Sequence, residues 1–220
     1  MQIVRWLRKY LKSDSLILIE EAVKAAEFTT AGEIVPVVVR RSSGITHIPF
    51  LLGSSMLVLL LAFDIVALEL QLFRRNMLWL SLGVAFIPIL MYILAAFDSV
   101  QRWILNVFSK DDLIKQVNMR AENIFFETGM IHTKHKTGIL LFISLMERRA
   151  VVLADKAIAD VLPKDTWEHV VQLLVEGAKK RDLGQGFVDA IKLCSIILKD
   201  KFPIRTDDID ELKNTLIIQE

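Results

Sequence analysis

The sequence has little cysteine, little net charge and no cleavable leader pattern. Its single cysteine, Cys194, excludes a disulfide within the chain and is compatible with a reducing compartment. The net charge of +1 gives no bulk electrostatic preference for nucleic acid, so a nucleic-acid partner is not expected. Basic residues interrupt the first residues, MQIVRWLRKYLK, so they lack the continuous apolar core of a signal peptide. The informative signal is therefore the distribution of apolar residues.

Two long apolar stretches interrupt the charged chain, Ile48–Leu68 and Met77–Phe97, separated by Glu69–Asn76. Each is about 21 residues long, which at the helical rise matches a hydrocarbon core roughly 30 Å thick. The pattern predicts a transmembrane hairpin over residues 48–97. A hairpin returns the chain to its starting side, so the segments before and after it can fold together in one compartment.

Basic residues near the spans predict the orientation. The turn carries Arg74 and Arg75, whereas the outer flanks carry four basic residues: Arg40, Arg41, Arg102 and Lys110. Because cytoplasmic flanks carry the excess of Lys and Arg, both termini are expected in the cytoplasm. The sequence thus predicts a multi-pass protein of the inner or plasma membrane with two spans.

Asp64 is the one ionisable residue inside the predicted first span. A carboxylate at mid-bilayer costs on the order of 2.5–3.5 kcal/mol, but Asp64 lies close to the end of the span. Two interpretations remain open. Asp64 is hydrated near the surface, or it faces a partner helix, in which case Glu69 forms a polar cluster with Arg74 and Arg75 at the turn. Asp64, Arg74 and Arg75 are predicted to lie at the membrane interface.

The first segment, residues 1–12, places apolar side chains at helical spacing with basic groups on the remaining arc. This predicts a basic amphipathic helix. One interpretation lays it on an anionic membrane surface, with Trp6 at the interface. The other packs it on the soluble domain with its basic groups solvated.

The remaining chain predicts one soluble domain of alternating elements. The expected order is a helix near residues 14–29, a strand at 33–39, a helix at 109–128, an antiparallel strand pair at 138–145 and 150–154, helices at 165–181 and 187–201, and a tail at 204–220. Pro36 removes a donor from the first strand and must face an edge or a bulge. The Gly184-Gln185-Gly186 segment is expected as a turn, and the tail as a short helix or a loose segment. This pattern predicts an α/β fold, an α/β/α sandwich with a small mixed sheet, interrupted by the two-helix transmembrane hairpin and lying against the bilayer.

Three segments, TTAGEIVPVVV, ETGMIHTKHKTGILLFISLMERRAVVLADKAIADVLPKDTW and GFVDAIKLC, together resemble the TPM domain. The similarity is to bacterial membrane-anchored members whose domain is split by a transmembrane hairpin. It divides the soluble chain into a first part at 13–47 and a second part at 98–203. The resemblance implies an association with acid phosphatase activity, with divalent-cation binding, or with accessory roles for membrane complexes.

Acidic residues near strand ends are the candidate metal ligands: Glu33, Glu147, Asp155 and Asp160. Converging carboxylates would suit Ca²⁺ or another divalent cation. Asp155 matches the acidic position of the family's AD segment. The alternative is that Asp155 caps a short helix beginning at Lys156.

No convincing nucleophile accompanies these acids. Cys194 lies on an apolar helical stripe and is expected in the core, and the His132 and His135 pair lies among lysines in what reads as a solvated basic loop. The sequence therefore predicts a non-enzymatic, membrane-anchored binding or accessory module for a membrane-protein complex, or for copies of itself. Two alternatives are a metal-assisted acid phosphatase and an accessory subunit of a transporter or channel that uses Asp64.

Overall fold

In a computed structural model of the protein, the structure describes residues 3–43, 48–69, 110–204 and 211–220, with isolated positions between 86 and 100. The chain divides into two compact units, Met1–Ser42 with Asp111–Glu220, and Ser43–Lys110. Arg74, Arg75 and most of the predicted second span lie outside the described residues.

The secondary structure follows the predicted order. Numbered along the described chain, the elements are α1 Ser13–Glu27, β1 Glu33–Val39, α2 Ile48–Glu69, α3 Lys110–Glu127, β2 Gly138–Ser144, β3 Arg149–Ala154, α4 Lys156–Ala159, α5 Glu168–Lys180, α6 Leu183–Lys199 and β4 Ile217–Gln219. Short 3-10 turns lie at Met130–His132 and Lys164–Trp167. The predicted helices of the soluble domain and its three predicted strands are confirmed.

The first unit contains a mixed sheet with strand order β3-β2-β1-β4. β1 runs parallel to β2 and β4, whereas β2 and β3 form the predicted antiparallel pair. The prediction of a short helix or loose segment for the tail was wrong, because Ile217 and Ile218 pair with Val37 and Val38 of β1. A three-residue strand carries too short an alternation to be read from the sequence alone.

Helices cover both faces of this sheet. On one face, Ile34, Val38 and Ile139 pack in a core with residues of α1, α5 and α6. On the other face, Val35 and Phe142 pack with residues of α3. Both faces of the two central strands are thus buried, which explains their continuous apolar runs and establishes the α/β/α layering.

Pro36 lies in the central strand without disrupting it. Ile34 and Arg40 direct their amide N–H groups away from β2, Ile34 to Glu27 Oε1 at 3.0 Å and Arg40 to Gln219 O at 3.1 Å. Pro36 is an even number of residues from Ile34 and Arg40, so the position of its missing N–H also faces the β4 side. Pairing with β4 starts one residue later, so no ladder bond is lost and the predicted edge position is confirmed.

The first segment forms turns rather than the predicted helix. Ile3, Leu7 and Leu11 are buried in the core that includes α1 and α6. The segment is also tied to α6 by its backbone, because Leu183 N–H donates to Tyr10 O at 2.9 Å. The contacts therefore favour the interpretation in which the segment packs on the soluble domain.

Two glycines allow α5 and α6 to approach closely. A Cβ on Gly177 would lie 2.8 Å from Gly186 Cα, which is closer than side chains tolerate. The predicted turn at Gly184-Gln185-Gly186 was wrong, because these residues form the start of α6, where Asp182 accepts from Gln185 N–H at 3.4 Å. A local pattern cannot show that these glycines serve helix packing rather than a turn.

α2 occupies Ile48–Glu69, the position of the predicted first span, and is 22 residues long. Within the described residues, no helix combines the length and the apolar character needed to cross a membrane. The hairpin therefore stays a prediction.

Candidate functional site

Two of the candidate acids lie at one end of the sheet in the first unit. Glu33 begins β1 and is paired with Gly138 of β2. Asp155 follows β3 and donates its N–H to Gly138 O at 2.8 Å. The two acids thus flank Gly138 in one row, roughly 10 Å apart across two strand spacings.

Each of these acids already makes a structural contact. Glu33 is 7% exposed, and its Oε1 accepts from Glu211 N–H at 3.3 Å. Asp155 caps α4, because its Oδ1 accepts from Lys156 N–H at 2.6 Å. The capping interpretation of Asp155 is therefore confirmed. Its second oxygen, Oδ2, is buried and has no hydrogen-bond partner among the described residues.

The other two acids do not join this end of the sheet. Glu147 lies in the β2–β3 turn, six residues along the ladder and so roughly 20 Å away. Asp160 is exposed at the C-terminal end of α4. The described residues contain no group of three or more His, Cys, Asp or Glu side chains placed to hold a metal ion. The β2–β3 hairpin carries Glu147 to the opposite end of the sheet, so the described structure does not bring all four acids together, and their role as metal ligands stays a prediction.

Glu147 instead holds the end of β1 to the β2–β3 turn. Both of its carboxylate oxygens lie 3.2 Å from Ser42 N, and Oε2 is also hydrogen bonded to Ser144 Oγ. Ser144 is fully buried. This carboxylate thus fixes the chain where it leaves the first unit.

We expect Glu147→Ala to lower the free energy of unfolding by about 1–3 kcal/mol, because Ser42 N–H and Ser144 Oγ lose their acceptor. Glu147→Gln, which keeps one acceptor oxygen, should lose less. The matched control is Glu176→Ala, which removes only an exposed pair with Lys180 and should cost about 0.5 kcal/mol or less. Urea midpoints from pulse proteolysis measure all three, and equal effects of the two alanine variants would contradict the assignment.

Glu211 is a residue of this end that the sequence did not single out. Its N–H binds Glu33, and its carboxylate accepts from Lys134 N–H at 3.1 and 3.2 Å. It thereby connects the tail, β1 and the loop that carries His132 and His135. No local pattern marks Glu211, because its role depends on β4 returning to the sheet beside β1.

Cys194 lies on α6 and is fully buried. Burial raises the pKa of its thiol strongly, because the thiolate would be desolvated. Since the thiolate is the nucleophilic form, this side chain is suited to packing rather than to attack. The prediction that Cys194 belongs to the core is confirmed.

The predicted membrane-interface residues fall in different parts of the chain. Asp64 belongs to α2, whereas Arg74 and Arg75 lie outside the described residues. Trp6 is half-buried and packs against the core of the first unit. A membrane role for these residues stays a prediction.

Comparison with known protein families finds a match to this chain's sequence. Residues 94–195 match the family model described as the TPM domain. This segment, somewhat less than half of the chain, is identified with the TPM domain. The match includes α3, β2, β3, α4, α5 and most of α6, and it begins after β1. The predicted membership is therefore established for the part of the chain that bears Glu147, Asp155 and Asp160.

A solved structure supports the fold over a longer range. The NMR structure of BA42 protein from the psychrophilic bacterium Bizionia argentinensis sp. nov. aligns with a TM-score of 0.57 at 22% identity. The alignment covers 95% of this chain and 95% of BA42. No curated protein matches the chain.

Proposed function

We propose that this protein is a membrane-anchored TPM module that binds a membrane-protein partner and does not act as an enzyme. The anchor is the hairpin at residues 48–97, and both termini lie in the cytoplasm. The TPM domain provides the binding surface, and a divalent cation supports the end of the sheet at Asp155.

The observation that carries the anchor is the apolar surface of α2. Leu59 is 66% exposed, Val58 and Ile65 are 64% exposed, and Phe63 is 55% exposed. Several large apolar side chains this exposed on one helix suit an apolar environment, since large exposed apolar patches are rare in soluble monomers. A helix of 22 residues also matches the thickness of the hydrocarbon core.

The contacts of the candidate acids support binding rather than catalysis. Glu147 is engaged by Ser42 and Ser144, and Asp155 caps α4. Cys194, the one thiol, is fully buried. These side chains are held by structural contacts rather than presented to a substrate.

Asp155 Oδ2 is the atom that supports cation binding. It is buried without a hydrogen-bond partner among the described residues, and a buried carboxylate oxygen left in this state is costly. A hard cation such as Ca²⁺ binds carboxylate and backbone carbonyl oxygens. In the same row of the sheet as Asp155, Glu33 has a carboxylate and Gly138 has a backbone carbonyl. The same donors support the rival proposal of a metal-assisted phosphatase.

The anchor is tested by alkaline carbonate extraction of membranes from cells expressing the full-length protein. We expect the wild type to remain with the membranes, and the Leu59→Glu, Phe63→Glu double variant to be released in large part. The control is Phe28→Glu, which changes an aromatic side chain that is 80% exposed outside α2 and should leave the partition unchanged. Extraction of the wild type would contradict the anchor.

Function is tested on the full-length protein in mild detergent, by elemental mass spectrometry and phosphomonoester hydrolysis on the same sample. We expect bound divalent metal that is lost in Asp155→Asn, with no hydrolysis in either protein. Asparagine keeps the helix cap, so the fold is preserved. Asp160→Asn is the control and should keep the metal. Metal-dependent hydrolysis that disappears in Asp155→Asn would replace the proposal with the phosphatase.

A further inference from the structure

β3 is an edge strand of the sheet, and its six residues, Arg149–Ala154, are all half-buried. One side of the strand pairs with β2. Among the described residues, no other strand pairs with it. An exposed strand edge presents unpaired N–H and C=O groups and is a template for pairing with another chain.

The register shows which backbone groups face outward. Asp155 N–H donates to Gly138 O, and these two residues are opposite each other in the antiparallel ladder. Residues at alternate positions share this direction, so Leu153 and Val151 also face β2. The backbone groups of Ala150, Val152 and Ala154 therefore face away from the sheet. In the described part of the chain, they make no backbone hydrogen bond beyond the sheet.

The two helical layers flank the beginning of this edge. A groove of about 290 Å³ is lined by apolar residues of α3, α5 and β3, among them Val117, Val175 and Val151, and by the polar side chains of Asn118, Arg148 and Arg149. All of these residues belong to the first unit. The groove can take an apolar side chain of a strand added beside β3.

We infer that β3 pairs with β3 of a second copy of this chain, antiparallel, about a two-fold axis through Val152. This register places Ala150 opposite Ala154 of the second copy and Val152 opposite its equivalent. In this antiparallel register, each of the three outward-facing residues lies opposite an outward-facing residue of the second copy. Three such pairs would form about six backbone hydrogen bonds, two for each pair.

The side chains of the strand are complementary to each other in this register. Arg149 lies opposite Asp155 of the second copy, so opposite charges meet on the α3 side of the extended sheet. Val151 lies opposite Leu153 of the second copy, at the groove between α3 and α5. On the α5 side, small residues meet at Ala150 and Ala154. This self-complementarity identifies the occupant as a second copy, and it does not depend on the proposed anchor.

Disulfide trapping tests the register in the full-length protein in detergent, and the buried Cys194 contributes no background. Val152→Cys should give disulfide-linked dimers under mild oxidation, because residues opposite each other in a hydrogen-bonded pair have Cα atoms about 5.5 Å apart. Ala150→Cys alone should not, because its two copies would be offset by four residues, or about 13 Å. A mixture of Ala150→Cys with Ala154→Cys should again be trapped.

A charge reversal tests the same interface without a change at the axis. Arg149→Glu in the Val152→Cys background should reduce the trapped dimer by on the order of tenfold, because each of two symmetric positions then opposes like charges. Failure of Val152→Cys to form dimers, or equal trapping of Ala150→Cys alone, would overturn the inference. A dimer that forms only through α2 would trap Ala150→Cys alone as well as Val152→Cys, or would trap neither variant.

Discussion

Replacing Leu7 by alanine should lower the free energy of unfolding of the first unit by about 2–5 kcal/mol. Leu7 is fully buried and packs in the core that contains α1 and α6. Removing its branched side chain leaves a cavity among these elements. The loss is measurable as a reduced urea midpoint in pulse proteolysis of the full-length protein in detergent.

The matched control is Val4→Ala, because Val4 is an apolar neighbour that is 38% exposed. It should change the stability by about 0.5 kcal/mol or less. The comparison also decides between the two interpretations of the first segment. If the segment lay on the membrane, Leu7→Ala would weaken membrane contact and leave the stability of the domain unchanged.

Phe142→Ala should be at least as damaging, with an expected loss of about 3–5 kcal/mol. Phe142 lies in the middle of β2, is fully buried, and packs on the α3 side of the sheet. Its removal opens the layer between β2 and α3. The same proteolysis measurement applies, with near-ultraviolet circular dichroism as a second probe of packing.

Phe126→Ala is the control for this loss. Phe126 lies on α3 but is 60% exposed, and its described aromatic contact is an edge-to-face arrangement with Phe125 at 6.3 Å. We expect a loss of about 1 kcal/mol or less. Comparable losses at Phe126 and Phe142 would contradict the position of α3 over the sheet.

Local signals predicted most of the fold. The apolar run of β1, the strand pair around Glu147, and the positions of α3 and α5 follow from periodicity, capping residues and breakers. Pro36 was also interpreted correctly, because a missing donor restricts where a residue can lie in any sheet. These features depend on residues close together in the chain.

The candidate site could be predicted only in its parts. Asp155 as a helix cap and Cys194 as a core residue follow from their immediate neighbours, and both were confirmed. The sequence did not show that Glu147 and Asp155 lie at opposite ends of the sheet, because that separation follows from the ladder between them. Glu211 was missed, because it reaches Glu33 across a sequence separation of 178 residues.

The sequence by itself determined most elements of this protein, their order and their apolar faces, because these depend on local geometry and on which residues avoid water. The tertiary structure decided that the apolar face of the first segment packs on the domain, that Gly177 and Gly186 serve a helix contact, and that the tail supplies β4. Each of these outcomes depends on contacts between residues distant in the chain, whose free energy appears only when the layers pack together.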